Sequence, residues 1–481
     1  YIPFCQLKRQ RKIRLGSNTS TAIVWFRQDL RCADNPALAQ ACNDHEQIIP
    51  IYIQDSDESM GGAARWWLHH ALLALEQELA KHNIHLNFQT GNPLAILQEL
   101  IKAHSVDTVY WNRLYEPAHI ERDKRIKAEL MGQGINVISS NSALLNEPWK
   151  VKTQQDSYFK VFTPFWKQCL RQMSEPPQPT INQWPSSPII PKSTLQSLQL
   201  LPTKPNWASG FEQIWQPGEH GANALLNTFV ENTLNDYKDL RNLPAENATS
   251  NLSPHLHFGE ISPWKVWRVV QQAIQNPTCN MASADNFLSQ LGWREFSYHL
   301  LFHYPELPHT NYRRQFDTFP WHKNPVALKC WQKGLTGFPI VDAGMRELWK
   351  TGYMHNRVRM IVASFLIKDL LIDWREGAAW FLDTLVDADL ANNSASWQWV
   401  AGSGMDAAPY FRIFNPTLQG EKFDPQGEYI KRWVPELASI PSKWIHDPWS
   451  MPGCQINYPK PIVDHKKARD LALRYYKELK Q

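Results

Sequence analysis

Thr21-Ala-Ile-Val-Trp-Phe26 is a continuous apolar run, and a second one, Ile48-Ile-Pro-Ile-Tyr-Ile53, follows after a stretch of helical spacing that begins at Asn35. Buried strands that alternate with amphipathic helices are typical of a parallel sheet with helices on both faces. From residue 20 the sequence therefore predicts an open α/β sheet.

The same alternation continues to about residue 150. One helical face repeats an apolar residue every fourth position, at Trp67, Ala71, Leu75 and Leu79. Further strands are predicted at Leu86-Asn-Phe88, Val106-Asp-Thr-Val-Tyr110 and Ile135-Asn-Val137. We expect a Rossmann-like domain over 20–150. No Gly-x-Gly-x-x-Gly follows the first predicted strand, so the conventional dinucleotide fingerprint is absent.

Beyond this domain the composition changes twice. Residues 174–206 are rich in Pro, Ser and Gln, which predicts an interdomain linker that we place at 151–215. Helical spacing then dominates, and we predict an all-α domain over 216–481. Its clearest helices are Ala222 to Leu234, Trp264 to Ile274, Asn286 to Phe302 and Asn356 to Leu371. Residues 1–19 are basic and are expected to be a disordered arm.

Composition narrows the function classes. No run approaches the roughly 18 apolar residues of a membrane span, so no membrane association is expected. The formal net charge of +4 permits nucleic acid as a partner without requiring it. Seven scattered cysteines without a C-x-x-C pair indicate a reducing compartment and argue against a metal site. In a bacterium we expect a cytoplasmic protein; in another organism an organelle or the nucleus stays open.

Tryptophan is unusually frequent, with 22 in 481 residues. Trp397 and Trp399 flank one glutamine just after Asn392-Asn393-Ser394, in a segment too polar for an ordinary core. Any single tryptophan can simply fill a core. A cluster in a polar segment instead favours stacking or electron transfer, and so a planar cofactor, a nucleobase, or both.

Several long motifs in order resemble the photolyase/cryptochrome family over about residues 22–475. They are Val24-Trp-Phe-Arg-Gln-Asp-Leu-Arg31, Phe159-Lys-Val-Phe-Thr-Pro164, Trp293-Arg-Glu-Phe296, Gly337-Phe-Pro-Ile-Val-Asp-Ala343, Met354-His-Asn-Arg357 and Asp406-Ala-Ala-Pro-Tyr-Phe-Arg-Ile-Phe-Asn-Pro416. The resemblance implies a class I-like cyclobutane pyrimidine dimer photolyase. It also implies FAD in the helical domain, UV-damaged DNA as partner, and a monomer.

The resemblance also assigns the cofactor-binding residues. On the phosphate side they are Tyr237, Thr249, Ser250, Leu252 and Ser253. Around the ring they are Arg294, Arg359, Asp387, Asp389 and Asn393, with Arg359 paired to Asp387 and Asn393 facing N5. Each of these residues can also be read as a helix cap or a surface ion pair.

Electron transfer is assigned to a tryptophan chain. By resemblance it runs from Trp397, nearest the flavin, through Trp374 to Trp321 at the surface. Spacing alone does not show that these three side chains align, and each can also be core.

The substrate residues line an expected cavity for a flipped-out dinucleotide, because a stacked base cannot be reached by the chemistry. By resemblance they are Gln290, Trp293, Asn356, Arg357, Met360 and Trp399. Arg357 is expected to bind backbone phosphate and make binding sensitive to salt.

Lesion specificity depends on few positions. Asn356 stands where (6-4) photolyases carry their second histidine, and Asn393 stands where plant-type cryptochromes tend to have Asp. Both favour cyclobutane dimer repair. Gln290 departs from the usual Glu of dimer photolyases and predicts a lower yield without loss of repair. A cryptochrome-type photoreceptor and a (6-4) photolyase remain the alternatives.

The antenna site departs from the folate-binding pattern. The chain has Ala118-His119 and Pro308-His309 where folate-binding members have Asn-Glu and Cys-Lys. A deazaflavin, a folate held differently, or no antenna all stay open.

Overall fold

The computed structural model describes residues 20–57, 59–188, 190, 194–453 and 455–479. The expectation of a disordered arm at 1–19 lies outside the described residues. Five parallel strands form one sheet in the order β3-β2-β1-β4-β5. They are β1 Thr21–Phe26, β2 Gln47–Asp55, β3 Asn87–Gly91, β4 Thr108–Asn112 and β5 Asn136–Ser140.

Helices cover both faces of this sheet. They are α1 Pro36–Asp44, α2 Gly62–Ala80, α3 Pro93–His104 and α4 Pro117–Gly132. Alternate residues of β1 enter opposite cores: Val24 and Phe26 pack with Trp67 of α2, whereas Ile23 and Trp25 pack with Leu97 of α3. The side-chain period of two in a strand explains this division.

The predicted linker contains a helix, α5 Phe162–Gln172, and returns to the sheet domain. There Ser186 pairs with Gln47, and Trp184 stacks on His82 with ring centroids 4.0 Å apart. The segment is thus packed against its neighbours over much of its length. Its exact bounds, like those of the two domains, stay a prediction.

The rest of the described chain is helical, as predicted. The helices are α6 Glu219–Asn232, α7 Tyr237–Leu240, α8 Ser253–His257, α9 Pro263–Ile274, α10 Met281–His303, α11 Pro325–Lys333, α12 Pro339–Thr351, α13 Asn356–Ser364, α14 Trp374–Thr384, α15 Leu390–Ala401, α16 Pro416–Phe423, α17 Glu428–Trp433 and α18 His465–Glu478. A π-helical turn, Phe365–Asp369, follows α13. The predicted fold class, an α/β domain followed by an all-α domain, is confirmed.

The turn after β1 joins the two domains. The backbone N–H of Leu30 donates to Phe258 O at 3.1 Å, and the buried Arg31 guanidinium donates to Gly259 O at 2.7 Å and to Ser142 Oγ at 2.7 Å. A position that binds phosphate in a dinucleotide-binding fold therefore serves domain packing here.

Within residues 20–57, 59–188, 190, 194–453 and 455–479, no helix is long and apolar enough to cross a bilayer. No group of three or more His, Cys, Asp and Glu side chains in those ranges is arranged to hold a metal ion.

Candidate functional site

Asp387, whose side chain is 5% exposed, is the centre of a polar cluster that extends to the partly buried Arg359 and the exposed Ser253. Its Oδ2 accepts hydrogen bonds from Arg359 Nη2 at 2.9 Å and from Ser253 Oγ at 2.6 Å. Burial alone would lower the pKa of Arg359, but the adjacent Asp387 carboxylate raises it above the ordinary value. The predicted Arg359–Asp387 pair is therefore present, with Ser253 from the phosphate-side set joined to it.

The second oxygen of Asp387 tests whether this cluster fits FAD. Oδ1 is buried and has no hydrogen-bond partner among the described residues. An unpartnered buried oxygen costs free energy unless a bound group supplies a donor. An amide-bearing edge such as that of the flavin pyrimidine ring supplies such donors, so the cluster fits the cofactor.

Asp389, two residues later, accepts hydrogen bonds from other protein groups on both of its carboxylate oxygens. Its Oδ1 accepts from the backbone N–H of Asn392 at 2.7 Å and so caps α15, and its Oδ2 accepts from the Tyr298 hydroxyl. Burial would raise the pKa of this carboxyl, but the hydrogen bond and charge of His257 and the charge of Arg294 hold it well below the ordinary value. The capping alternative thus holds for Asp389, whose predicted flavin contact stays a prediction.

Arg294 lies beside Asp389 and reaches across the domain boundary. Its Nη1 donates to Ala143 O at 2.7 Å, and the guanidinium lies 5.1 Å over the Tyr298 ring. Asn393 donates from Nδ2 to Ala378 O at 3.0 Å, which ties α15 to α14. Both side chains donate to backbone carbonyls of neighbouring segments, and their contacts with FAD stay predictions.

The phosphate-side residues form a polar turn that leads into α8. Thr249 Oγ1 donates to Asn251 Oδ1 at 3.2 Å, and the Leu252 N–H donates to Ser250 Oγ at 3.4 Å. Tyr237 is buried in the apolar cluster of α6 and α10, where burial raises its pKa. Thr249, Ser250 and Leu252 directly precede Ser253, and Tyr237 shares an apolar cluster with Leu252. Their assignment to the FAD phosphates stays a prediction.

The three chain tryptophans lie in connected parts of one core. Trp397 and Trp374 are buried, with 2% and 0% of their surface exposed, and Trp321 is partly exposed. Gly377, one turn after Trp374, lies against Trp397: a Cβ at this glycine would be 2.1 Å from Cη2 of the Trp397 ring. The segment that contains Trp321 is bonded to the residues just before α14, since the His322 N–H donates to Leu371 O at 2.7 Å.

Gln290 is held by an arginine that sequence reasoning missed. Arg241 Nη2 donates to Gln290 Oε1 at 3.0 Å, and Nη1 donates to Asn286 Oδ1 at 2.7 Å. The same guanidinium lies 5.1 Å over the ring of Tyr237. Both acceptors are neutral amides, so the positive charge of Arg241 is not balanced by them. Its place four residues after Tyr237 was the available signal.

Arg357 lies beside this group. Its guanidinium is 4.4 Å from the ring centroid of Phe423, donates to Asn242 Oδ1 at 2.8 Å and contacts Met360 Sδ at 3.7 Å. Burial, with the nearby charge of Arg241, lowers the pKa of Arg357. Two cations that repel each other favour an anion between or beside them, in agreement with the predicted phosphate contact.

The start of α13 presents Asn356 to solvent and keeps its neighbour His355 inside. His355 Nδ1 accepts from the Arg357 N–H at 3.2 Å and so caps the helix. Burial, followed by the charges of Arg359 and Arg357, lowers the pKa of His355 to about 4. His355 is therefore neutral at pH 7, and the exposed Asn356 is free to meet a substrate.

Both predicted aromatic walls are accessible. Trp293 is 37% exposed and stacks on Phe162 with ring centroids 3.8 Å apart. Trp399 is half-buried on α15. Trp293 and Gln290 lie one turn apart on α10, so one helix presents both to the same region.

Two family models match this chain. The model described as "DNA photolyase" matches residues 22–183, and the one described as "FAD binding domain of DNA photolyase" matches residues 287–478. The C-terminal domain is therefore an FAD-binding domain of the photolyase type.

Similar proteins cover most of the chain. A deoxyribodipyrimidine photo-lyase of Agrobacterium fabrum is 48% identical over 97% of this chain and 100% of that protein. Cryptochrome-2 of Arabidopsis thaliana is 39% identical over 93% of this chain and 77% of that protein. The crystal structure of a class III photolyase from Agrobacterium tumefaciens has a TM-score of 0.93 at 47% identity, covering 98% of this chain and 100% of that one.

These comparisons leave one expectation unconfirmed. Class I was predicted, but a solved structure 47% identical to this chain is of a class III photolyase, so the class I assignment is not confirmed. The motifs that carried the resemblance are shared widely enough to show the family without separating its classes.

Proposed function

Since the chain belongs to the photolyase/cryptochrome family, we propose that it is a deoxyribodipyrimidine photo-lyase that repairs cyclobutane pyrimidine dimers in DNA under blue light. The observation that carries the proposal is that Arg241 bonds Gln290 and lies near Arg357, while the exposed Trp293 lies one turn from Gln290 on α10. Class III is the class that the similar solved structure supports.

The proposed cofactor residues hold FAD at the cluster of Ser253, Arg359 and Asp387. Bound in reduced form, FAD supplies a light-driven electron for the lesion. Arg359 donates to Asp387 Oδ2 at 2.9 Å, and Asp387 offers its unpartnered Oδ1 to a donor on the ring. Trp321, Trp374 and Trp397 are proposed to carry electrons from the surface towards this cluster.

The proposed substrate residues act by stacking and charge. Trp293 and Trp399 hold the flipped dinucleotide between aromatic surfaces, and stacking on one such ring is worth about 1–3 kcal/mol per base. Asn356 and the Gln290 amide meet the pyrimidine edges, while Met360 packs beside them. Arg357 binds the backbone phosphate and fixes the strand without reading its sequence.

Gln290 supplies no negative charge, unlike the Glu usual in dimer photolyases. The Arg241 cation beside it therefore stays available to the lesion, which carries negative charge once it has accepted an electron. We infer that repair persists with Gln290 because this cation stabilises that charge.

A cryptochrome-type photoreceptor is the second candidate, favoured by the 39% identity to cryptochrome-2 over most of the chain. A (6-4) photolyase is disfavoured by Asn356, which is no proton donor. The antenna alternatives stay a deazaflavin, a folate held differently, or no antenna, and the monomeric state stays a prediction.

The deciding experiment measures blue-light repair of a thymine cyclobutane dimer in single-stranded DNA by the purified reduced protein. A dark reaction and a (6-4) substrate serve as controls, and Trp293→Ala tests the stacking wall. Light-dependent loss of the cyclobutane dimer alone supports the proposal. Bound FAD without any repair would make the chain a photoreceptor instead.

A further inference from the structure

Phe162 covers one face of the proposed lesion wall. Its ring lies parallel to that of Trp293, with centroids 3.8 Å apart and planes at 9°. Phe296 meets the same tryptophan edge-on at 5.9 Å. Since 37% of Trp293 is still exposed, its open surface lies away from Phe162. A residue of the predicted linker thus backs a residue proposed to stack on the substrate.

The contact between α5 and α10 holds Phe162 in this place. Phe162 and Trp166 lie one turn apart on the same face of α5. Trp166 packs on Gly292, the neighbour of Trp293, where a Cβ would be only 2.6 Å from Cδ2 of the Trp166 ring. Only glycine permits this approach, so the two helices are in close contact next to Trp293.

A carboxylate from the other side of the site fixes the start of α5. The Phe162 N–H donates to Asp406 Oδ2 at 2.9 Å. Val161, which precedes the helix, has an apolar side chain that cannot cap it, and Asp406 satisfies one of the first-turn donors instead. Asp406 itself adopts a left-handed conformation with φ +49°.

Asp406 belongs to the loop that follows Trp399. Two residues after Asp406, the Ala408 N–H donates to Trp399 O at 3.2 Å. A continuous path therefore leads from one proposed wall to the other: Trp293 stacks on Phe162, Phe162 bonds Asp406, and the Asp406 loop bonds the Trp399 backbone.

We propose that Phe162 and Asp406 are positioning residues that set the relation between the two aromatic walls, and so the discrimination of a flipped lesion from undamaged DNA. The inference rests on the proposed function of the site. The net gain from stacking a base is larger where the ring is already held in place, because a mobile ring must first lose side-chain entropy. Phe162 removes that cost by restricting Trp293 before substrate binds.

The test compares three variants in the FAD-loaded protein. Phe162→Leu keeps an apolar side chain but loses the stack, Phe162→Tyr restores the ring, and Phe159→Leu is the matched control. Phe159 lies three residues earlier and packs on Phe165 and His299 instead of Trp293. The quantity measured is the ratio of affinities for dimer-containing and undamaged single-stranded DNA of one sequence. We expect Phe162→Leu to lower this ratio roughly three- to tenfold, and the other two to leave it unchanged.

Two further measurements keep the outcome interpretable. Asp406→Gly removes the carboxylate while tolerating the positive φ, and it should also lower the affinity ratio. This variant keeps the test usable if Phe162→Leu does not fold. Fluorine NMR of protein labelled with 5-fluorotryptophan tests the stack without DNA, with the Trp293 resonance identified by its loss in Trp293→Phe. It should shift in Phe162→Leu and not in Phe159→Leu.

The inference and the proposed function fail differently. Absence of repair by the unaltered protein, with a shifted Trp293 resonance in Phe162→Leu, would sink the proposed function and leave the bracing contact standing. An unchanged affinity ratio in Phe162→Leu, or an equal loss for both DNAs, would overturn the positioning role.

Discussion

Asp387 and Asp389 are two residues apart and differ in what they leave free. Asp389 uses both oxygens on the protein, to cap α15 and to accept from Tyr298. Asp387 uses one oxygen for Arg359 and Ser253 and keeps the other buried and unpartnered in the described structure. The fit to a cofactor therefore depends on Asp387, whereas Asp389 holds the helix that carries Asn393 and Trp397.

Replacing Trp397 by Phe should largely abolish light-driven reduction of bound FAD, because the proposed chain loses its innermost member. Truncation of this buried ring should also cost about 1–2 kcal/mol of stability. Trp331→Phe is the matched control, since Trp331 is equally buried and lies 6.3 Å from Trp397 without a place in the chain. Photoreduction is followed by absorbance under anaerobic blue light. Equal rates in the two variants would contradict the assignment.

Arg357→Gln should weaken binding of damaged and undamaged DNA alike, because a phosphate contact carries no lesion information. The slope of log affinity against log salt should become shallower by about 0.7 in single-stranded DNA. Titrations at several salt concentrations measure it. Arg125→Gln, an exposed arginine on α4, should leave the slope unchanged; a loss confined to damaged DNA would instead make Arg357 a lesion reader.

Among the helices, the close packing of α14 against α15 depends on one glycine, Gly377, which has no side chain. Gly377 lies against the Trp397 ring, where a Cβ would meet Cη2 at 2.1 Å. This contact is what lets the polar end of α15 and the buried Trp374 at the start of α14 share one core.

Gly377→Ala should therefore destabilise the protein by about 1–3 kcal/mol, since the extra methyl overpacks a filled core. The free energy of unfolding in urea measures this effect. Gly132→Ala at the end of α4 is the control, because no atom lies within 4 Å of a Cβ built there. Similar losses in both variants would show that the crossing has room to adjust.

In the folded protein as a whole, buried groups with shifted pKa values make stability depend on pH in opposite directions. Burial raises the pKa of Glu347, on α12, to about 7 from an ordinary 4.5. The folded state then binds more protons than the unfolded state between these values, so Glu347 makes stability fall as pH rises from 4.5 towards 7. His355, with its pKa lowered to about 4 from 6.5, does the opposite: its contribution is lost as pH falls from 6.5 towards 4.

Glu347→Gln separates these effects. Relative to the unaltered protein, its free energy of unfolding should gain about 2–3 kcal/mol between pH 5 and pH 8, since the variant has no buried carboxyl to ionise. Urea unfolding at both pH values gives the difference. Glu428→Gln, at a side chain 60% exposed, controls for the loss of one charge. A constant difference across this range would show that Glu347 does not ionise there.

The fold was open to prediction because its signals are local. The apolar runs of β1 and β2 are signals within a few residues, as is Asn35, whose side chain caps α1. The structure places both strands and α1 as predicted. The packing of residues 151–215 was missed, since polar composition does not reveal that Trp184 finds His82 or that Phe162 finds Trp293.

The amino-acid order alone determined the two-domain class, the family and the identity of the residues offered for FAD and DNA. Motifs and periodicity are properties of neighbouring positions, so they survive without a structure. Only tertiary structure decided that Arg241 holds Gln290, that Asp389 is spent on a helix cap while Asp387 keeps an oxygen free, and that Asp406 reaches Phe162. Arg241 and Gln290 are 49 positions apart in the sequence, and Phe162 and Asp406 are 244 positions apart. Only packing of the whole chain brings each pair within hydrogen-bond distance.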